Sequence, residues 1–589
     1  MNPDDRRAAA QLVRRLLASQ STEATIAEVW QLIESADPFP TALALELVTL
    51  EGPDRLRTVL EELPTPEVVD FSTLTRKVLA NEPVRRPAAT RFLRASAVAV
   101  DLSALLWDQT RFLPAEEYDA PGSDVQAFLD SPLFEVEDQV RERIAGLRFS
   151  SEAQRARTLG AERLTAFQTY ALRHGKLDII DPQSGLPAAY LGYYMRYDKV
   201  VYRFRGEGDL LLVTGGSAGQ IRGVYLPGDD LFLDLAHSFA MDLRTWPTTK
   251  ADLARAILRN KRRSGGSDVP TPSGAADVTV RIGGVENFAH RVWNAMGALD
   301  REAMAGTLTG VERAVTIGSE FFGPLRDLYP ELAGAEIEAR PRGGVDRGDV
   351  ADPTQLLVPL GTTVVMAESC GRVVEAAERT VDQPAAAAML ARATTYRHRV
   401  YVALRVGDKS WADATTELPR LIDQVLARYP DTCFLLDGFS VPSGVDHISD
   451  RWLPQLEALR TMMATVRERV ADPDRVIDML GLDLLSSIAV LRRATCYLTP
   501  IGTAHHKVDW FSDLPGVLYV SEEFAGMPHD LWPGLRQPLN ARAPTIVVGT
   551  DEGPESVRRR RSTDARPGLA NFTLSAEQVW AALEPLLDD

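Results

Sequence analysis

A chain of 589 residues exceeds the ~250–300 residues at which single cores stop growing, so two or three packed domains are expected and a lone small binding module is excluded. Hydrophobic residues make up 45% and charged residues 25%, the balance of a folded globular protein rather than a disordered, collagen-like or membrane-spanning one. With 65 Lys and Arg against 82 Asp and Glu the formal charge is −17, which excludes the basic surface that non-specific nucleic-acid binding needs; no nucleic-acid partner is expected.

In chain order, Met1-Asn-Pro-Asp-Asp opens polar and lacks the apolar run of a signal peptide. Stretches Arg7–Leu17, Ile26–Ser35, Pro40–Leu50 and Asp54–Leu63 place apolar residues three and four apart between Pro, Asp and Ser, so residues 1–150 read as an all-α domain. The apolar stretch Ala95–Trp107 carries Asp101 and is far short of the ~20 residues a membrane span needs, so no transmembrane segment is expected. Cys370, Cys433 and Cys496 are odd in number, far apart and without a Cys-x-x-Cys pair, which reads as reduced thiols of a cytoplasmic protein. From about Lys176, near-alternating β-branched and aromatic residues in Tyr190–Phe204, Asp209–Thr214 and Arg222–Leu233 predict strands, and Asn260–Ala276, rich in Lys, Arg, Gly, Ser and Pro, a linker. Residues 151–276 thus form a β-rich segment and linker.

Beyond it, strand and helix patterns alternate. Val278–Ile282, Val311–Ile317 and Leu356–Val365 predict strands around helices Asn287–Leu299 and Phe321–Tyr329, one open α/β unit over 277–394. A second series runs from 395 to 589. Its predicted strands are Arg399–Leu404, Thr432–Leu436, Val476–Leu480, Thr495–Leu498 and Gly516–Val520, separated by helices and closed by helix Leu574–Leu586, which implies a parallel sheet wound on both faces. Ligands of such sheets sit at the strand carboxyl ends, here in a cleft between two sheets.

Four segments fall at those ends. Arg405-Val-Gly-Asp408-Lys409 follows an apolar strand; Arg405 can grip a phosphate in fork geometry, while Asp408 and Lys409 hold the loop or sugar hydroxyls. In Gly283-Gly-Val-Glu286-Asn287-Phe-Ala-His290, Asn287 can cap a helix on which His290 and Asn294 share a face, and a neutral imidazole can accept a hydroxyl proton. Glu320, after the strand Val311–Ile317, and Glu286 are rival bases. The turn Gly502-Thr503 between a strand and a helix offers amides to an anion, with His505, His506 and Lys507 one turn on. Asp437, at a strand end before Gly438, can bind a ribose or cap the next segment. There is no P-loop, no Gly-x-Gly-x-x-Gly after the first strand and no Gly-x-Ser-x-Gly elbow. Gly215-Gly-Ser-Ala-Gly219 and Asp229-Asp230 read as turns within the β-rich segment, and adjacent His505 and His506 lack the partners of a zinc site.

Arg405-x-x-Asp408-Lys409 resembles the first peptide motif of fucosyltransferases of the GT-B fold, with Ala403 standing where that family has His and Val406 where it has a second Arg. Asn287-x-x-His290-x-x-Trp293 resembles the run that opens the acceptor-side domain of family 61 glycosyltransferases. These resemblances imply two Rossmann-like domains of GT-B type and a glycosyltransferase, acting without a metal and with a nucleotide sugar as substrate rather than cofactor. They imply that His290, Glu320 or Glu286 serves as base, with Arg405, Lys507 and the Gly502–Thr503 turn on the departing diphosphate. The expected partners are that donor and a glycan, peptide or small-molecule acceptor, with assembly into a homo-oligomer left open. The alternatives are a transferase of another group on the same fold and a non-catalytic protein that binds a nucleotide sugar or a partner.

Overall fold

The computed structural model describes residues 111–588 apart from 121–122, 148, 150, 197–198, 228, 230, 237–275, 284–286, 319, 341–353, 445–451, 527–539, 541 and 553–569. Most of the expected N-terminal helical domain, residues 1–110, and the candidate base Glu286 therefore lie outside the described residues.

Strands β1 (Arg111–Pro114), β2 (Ile179–Ile180), β3 (Pro187–Arg196), β4 (Lys199–Arg205), β5 (Asp209–Gly215), β6 (Gln220–Leu226) and β7 (Leu231–Asp234) form one sheet in the order β1-β7-β6-β5-β4-β3-β2. Its neighbours are antiparallel except for the parallel pair β1 and β7. The β-rich segment thus begins earlier than its sequence pattern indicated, because four residues at 111 pair with the last strand. Helices Glu152–Arg163 and Phe167–His174 precede the meander. The turn Gly216–Gly219 between β5 and β6 is packed, not poised for phosphate: a Cβ on Gly361 would lie 2.3 Å from the carbonyl carbon of Ala218.

Strands β8 (Asp277–Gly283), β9 (Arg313–Ile317), β10 (Glu336–Arg340) and β11 (Gln355–Leu360) form a parallel sheet ordered β10-β9-β8-β11. The β-rich sheet docks on this unit: Tyr202 Oη donates to the Leu357 carbonyl at 2.7 Å and Tyr190 Oη to the Gln355 carbonyl at 2.9 Å. One apolar core runs through both.

The last sheet contains β12 (His398–Ala403), β13 (Thr432–Asp437), β14 (Val476–Asp478), β15 (Cys496–Pro500), β16 (Gly516–Ser521), β17 (Thr545–Asp551) and β18 (Phe572–Thr573), ordered β14-β13-β12-β15-β16-β17-β18. All pairs are parallel except β17 with β18. Strands buried on both faces need continuous apolar runs, and the run Val400–Leu404 supplies one at the sheet's centre. In both parallel sheets the strand order reverses beside the first strand, between β8 and β11 and between β12 and β15. Such switch points open the crevices where ligands of these sheets bind.

The two parallel units share packing. Helix Leu484–Leu491 puts Leu484, Leu485, Ile488 and Ala489 into the core of the first unit, and Val490 and Leu491 into that of the second. Each buried large aliphatic side chain contributes about 1.5–3 kcal/mol. Glu378, on helix Ala367–Glu378, accepts from Arg492 at 2.9 Å and Arg493 at 2.7 Å at the edge of this contact. The three cysteines are buried and free.

Candidate functional site

The two switch points meet. Asn287 caps its helix by accepting from the Ala289 amide at 2.9 Å, and its Nδ2 donates to Thr503 Oγ1 at 3.4 Å, so the helix that begins after β8 stands against the helix that begins after β15. Both N-termini carry partial positive charge at this junction. Behind it, the Trp293 ring meets His506 and Trp510 edge-on at centroid separations of 6.1 and 6.5 Å, and Phe322 meets Phe511 at 6.1 Å.

On the side of the last sheet, Arg405 leaves the end of β12 and reaches the turn after β15. A Cβ placed on Gly502 would lie 3.5 Å from Arg405 Nη1. Gly502 has φ 116° and ψ −145°, a conformation closed to side-chain-bearing residues, and leads directly into helix Thr503–Phe511. Asp408 steadies the guanidinium: Nε donates to the Asp408 carbonyl at 2.6 Å and Nη2 to its carboxylate at 2.8 Å. Burial pushes the Asp408 carboxyl up, but Arg405 outweighs it and holds the group below its ordinary value. Lys409 sits at φ 55°, the one left-handed non-glycine among the described residues, and burial and then Arg405 pull its ammonium below the usual range. Two cations thus stand beside a helix N-terminus, with Arg405 paired to Asp408 and Lys409 Nζ 5.1 Å over the Phe524 ring.

Asp437 and Lys507 face each other rather than this site. Lys507 is 4% exposed, and its Nζ donates to Asp437 at 2.6 Å and Ser440 at 2.8 Å, and also to Ser487. Asp437 further accepts from Tyr401 Oη at 3.0 Å, Ser487 Oγ at 2.7 Å and the Gly438 amide at 2.7 Å. The expected roles, Asp437 on a ribose and Lys507 on a diphosphate, meet a physical obstacle: each is the other's counter-ion, and desolvated charges stay paired. His505 is buried against Tyr497, its Nδ1 has no hydrogen-bond partner, and burial lowers it to about 4. It faces the core rather than a ligand. His506, 100° further round, stacks on Trp510 at 4.3 Å.

Across the junction, His290 stands one turn into its helix. Its Nδ1 lies 2.8 Å from Asn294 Oδ1, while Asn294 Nδ2 donates to the Thr362 carbonyl at 2.6 Å. The amide presents oxygen to the ring, so in the neutral imidazole Nδ1 carries the proton and the lone pair falls on Nε2. A π-turn over Arg291–Met296 follows, a local widening that often marks a functional stretch. Glu320 lies in the turn after β9 near Arg291; burial holds that guanidinium below its ordinary value, and Glu320 and Tyr329 offset only part of the drop. Gly283, at φ 87°, leaves room for Arg291: a Cβ there would come within 2.4 Å of Nη1. Among the described residues no group of three or more His, Cys, Asp and Glu side chains gathers in metal-binding geometry, and no helix is long and apolar enough to cross a membrane. The sequence placed Asn294 on the same helix face as His290, but not the hydrogen bond between Asn294 Oδ1 and His290 Nδ1, which depends on the Thr362 carbonyl.

The fold is that of an α/β protein with one largely antiparallel and two largely parallel sheets, in which the helices at the switch points of the two parallel sheets meet through Asn287 and Thr503. No protein-family model matches the chain, so neither the family 61 nor the fucosyltransferase-type resemblance gains support there. No curated protein matches it either. Among solved structures it is similar to a UDP-forming α,α-trehalose-phosphate synthase from Burkholderia xenovorans in complex with glucose-6-phosphate, with 13% identity, 62% of this chain and 76% of that chain covered, and a TM-score of 0.24. A second structure of that synthase from the same organism gives 11%, 58%, 74% and 0.22, and an α,α-trehalose 6-phosphate synthase from Burkholderia multivorans gives 12%, 58%, 72% and 0.21. Superpositions this loose transfer no residue role and no substrate.

Proposed function

We propose that the protein is a glycosyltransferase moving a sugar from a nucleoside-diphosphate donor to a hydroxyl of a glycan, peptide or small-molecule acceptor. The observation that carries this reading is the placing of Arg405 over Gly502 at the switch point of the last sheet, whose helix meets the helix of His290 through Thr503 and Asn287. The donor diphosphate would lie between the Arg405 guanidinium, Lys409 and the amides that open helix Thr503–Phe511. Charge growing on the leaving diphosphate as the glycosidic bond breaks is then met by groups already in place, which lowers the barrier without reorganisation. His290, with its lone pair on Nε2, takes the acceptor proton as the new bond forms. Glu320 is a weaker candidate base, since it already serves as a neighbour charge for buried Arg291. Asp437 and Lys507 act one layer behind, holding the Gly438 and Gly502 turns in register.

Calorimetric titration of the full chain with UDP, GDP, ADP and dTDP, followed by incubation of the tightest binder's sugars with mixed acceptors, tests this. Binding of one diphosphate, weakened in Arg405→Ala, with release of that diphosphate from its sugar form is the expected result. Absence of binding by all four would overturn the donor site. Binding without turnover by any sugar form would leave a nucleotide-binding protein and no transferase.

A further inference from the structure

The helices between β1 and β2 of the β-rich sheet reach the candidate base through a largely buried polar chain. Glu162, 1% exposed on helix Glu152–Arg163, accepts at Oε1 from both the amide and the hydroxyl of Thr363, each at 2.7 Å. Its other oxygen is held by Thr165 at 3.2 Å and Arg301 at 3.4 Å. Gln168, on the next helix, accepts from the Gly361 amide at 2.9 Å and from Arg301 at 2.6 Å. The loop after β11 is therefore clamped from outside its own sheet. The next two carbonyls face the other way: Thr362 accepts from Asn294 Nδ2 at 2.6 Å and Thr363 from Trp293 Nε1 at 2.6 Å. Trp293 lies parallel to the His290 ring at 6.5 Å, and Asn294 holds its Nδ1.

We propose that Glu162 is a positioning residue for His290, acting through Thr363 and the Thr362 carbonyl to orient Asn294 and so fix the imidazole with its proton on Nδ1 and its lone pair on Nε2. The inference rests on the reading of His290 as the base. It gives the β-rich half of the molecule a role in the reaction: a group 128 positions away in sequence sets the protonation geometry of the acceptor side. The chain is continuous, with Glu162, Thr362 and Asn294 buried and Thr363 and His290 half-buried, so its members have few other arrangements open to them. A carboxylate bound to two donors of one residue is also a more rigid clamp than a single hydrogen bond.

The test needs no substrate. In the full-length protein labelled with 15N-histidine, two-bond proton–nitrogen correlation spectra report the tautomer of each of the eight histidines, and His290 is assigned by its loss in His290→Gln. Wild type should show His290 protonated on Nδ1. Asn294→Ala, Glu162→Ala and Thr363→Val should each shift it towards a mixture of tautomers, whereas Glu162→Gln, which keeps an oxygen for Thr363, should retain the wild-type signature. Where turnover is measurable, Glu162→Ala should lose up to about 10²-fold in kcat with unchanged affinity for the nucleoside diphosphate, the scale expected of a small misplacement. A wild-type His290 protonated on Nε2, or a folded Glu162→Ala with an unchanged spectrum, overturns the proposal. If Glu162→Ala does not fold, Thr363→Val decides alone, and an unchanged spectrum there refutes it. A Glu162-dependent Nδ1 tautomer in a protein that transfers no sugar would instead sink the transferase reading while leaving this coupling standing.

Discussion

Removing Lys507 separates its two readings, as a phosphate ligand and as the partner of a buried carboxylate. In Lys507→Met the volume is roughly kept and the ammonium is lost, so Asp437, 1% exposed, keeps Tyr401, Ser487 and the Gly438 amide but no counter-charge. Breaking one partner out of a buried pair costs about 3–5 kcal/mol. With a urea m-value of about 2–3 kcal/mol/M, the unfolding midpoint should fall by about 1–2 M. Replacing both groups, in Asp437→Leu with Lys507→Met, removes the orphaned charge and should recover most of that loss, so the double variant is expected to be more stable than Lys507→Met alone. Equal or additive losses in the double variant would refute the pairing argument.

The same pair sets a pH dependence. Burial alone would raise the Asp437 carboxyl, but the Lys507 ammonium and the donors from Ser487 and Gly438 outweigh it, and the group sits below its ordinary value. A carboxyl held below its unfolded value adds stability that is fully present above the unfolded value and is lost as pH falls through the folded one. Wild type should therefore lose stability as acid is added through and below the ordinary carboxylate range, and the double variant should lack that share of the loss. Nucleoside-diphosphate affinity, measured on the folded fraction of Lys507→Met, should change less than threefold. A loss of tenfold or more would mean that the ammonium reaches the ligand after all.

The remaining expectations concern the crevice and the core. Arg405→Ala should weaken nucleoside-diphosphate binding by roughly 10–10²-fold, the worth of about 1.5–3 kcal/mol for hydrogen bonds to a charged group, as read by calorimetry. Gly502→Ala forces a side chain into φ 116° at a cost on the order of 1–3 kcal/mol and should lower both the melting temperature and the affinity. His290→Gln should lower turnover by about 10²–10⁴-fold while diphosphate affinity holds, and a preserved rate would move the base elsewhere. Burial lowers His505 from an ordinary 6.5 to about 4, so the unfolded chain takes up its proton first as pH falls through that window. Wild type should lose about 3 kcal/mol between pH 6.5 and 4, and His505→Phe should lack this loss in urea titrations at several pH values.

The two parallel sheets were legible because strands buried on both faces must be runs of Val, Leu, Ile and Phe. Phe434–Leu436 and Tyr497–Leu498 fit that pattern, and the helices between them carry period-3.6 stripes. Edge strands carry no such demand. Strand β10, at an edge, reads Glu-Ile-Glu-Ala-Arg, and β17, covered on its outer side only by the two-residue β18, ends in Gly-Thr-Asp, so neither announces itself. Strand β1 is four residues long and is defined by its partner β7, 120 positions away in register, which no local pattern can show. The helix Pro384–Ala393 reads as four consecutive alanines and little pattern, since one buried face of two alanines gives no periodic contrast.

The candidate site divides along a physical line. Arg405 and Gly502 were readable, because strand ends of one sheet must come together and only glycine tolerates the turn between β15 and its helix. The direction in which Asp437 and Lys507 point was not, because each has the chemistry of a ligand group and each lies within a turn of the crevice. What decides between ligand and counter-ion is the third coordinate, the chain between two positions 70 apart folding so that Nζ meets Oδ2 at 2.6 Å. The same holds for His290: the sequence offers a histidine four residues before an asparagine, but whether that asparagine turns oxygen or nitrogen to the ring depends on the Thr362 carbonyl, 68 residues on. A tautomer is thus a tertiary property. The residue best placed to break it, Glu162, carries no local mark of function because its donors come from a loop 201 residues away.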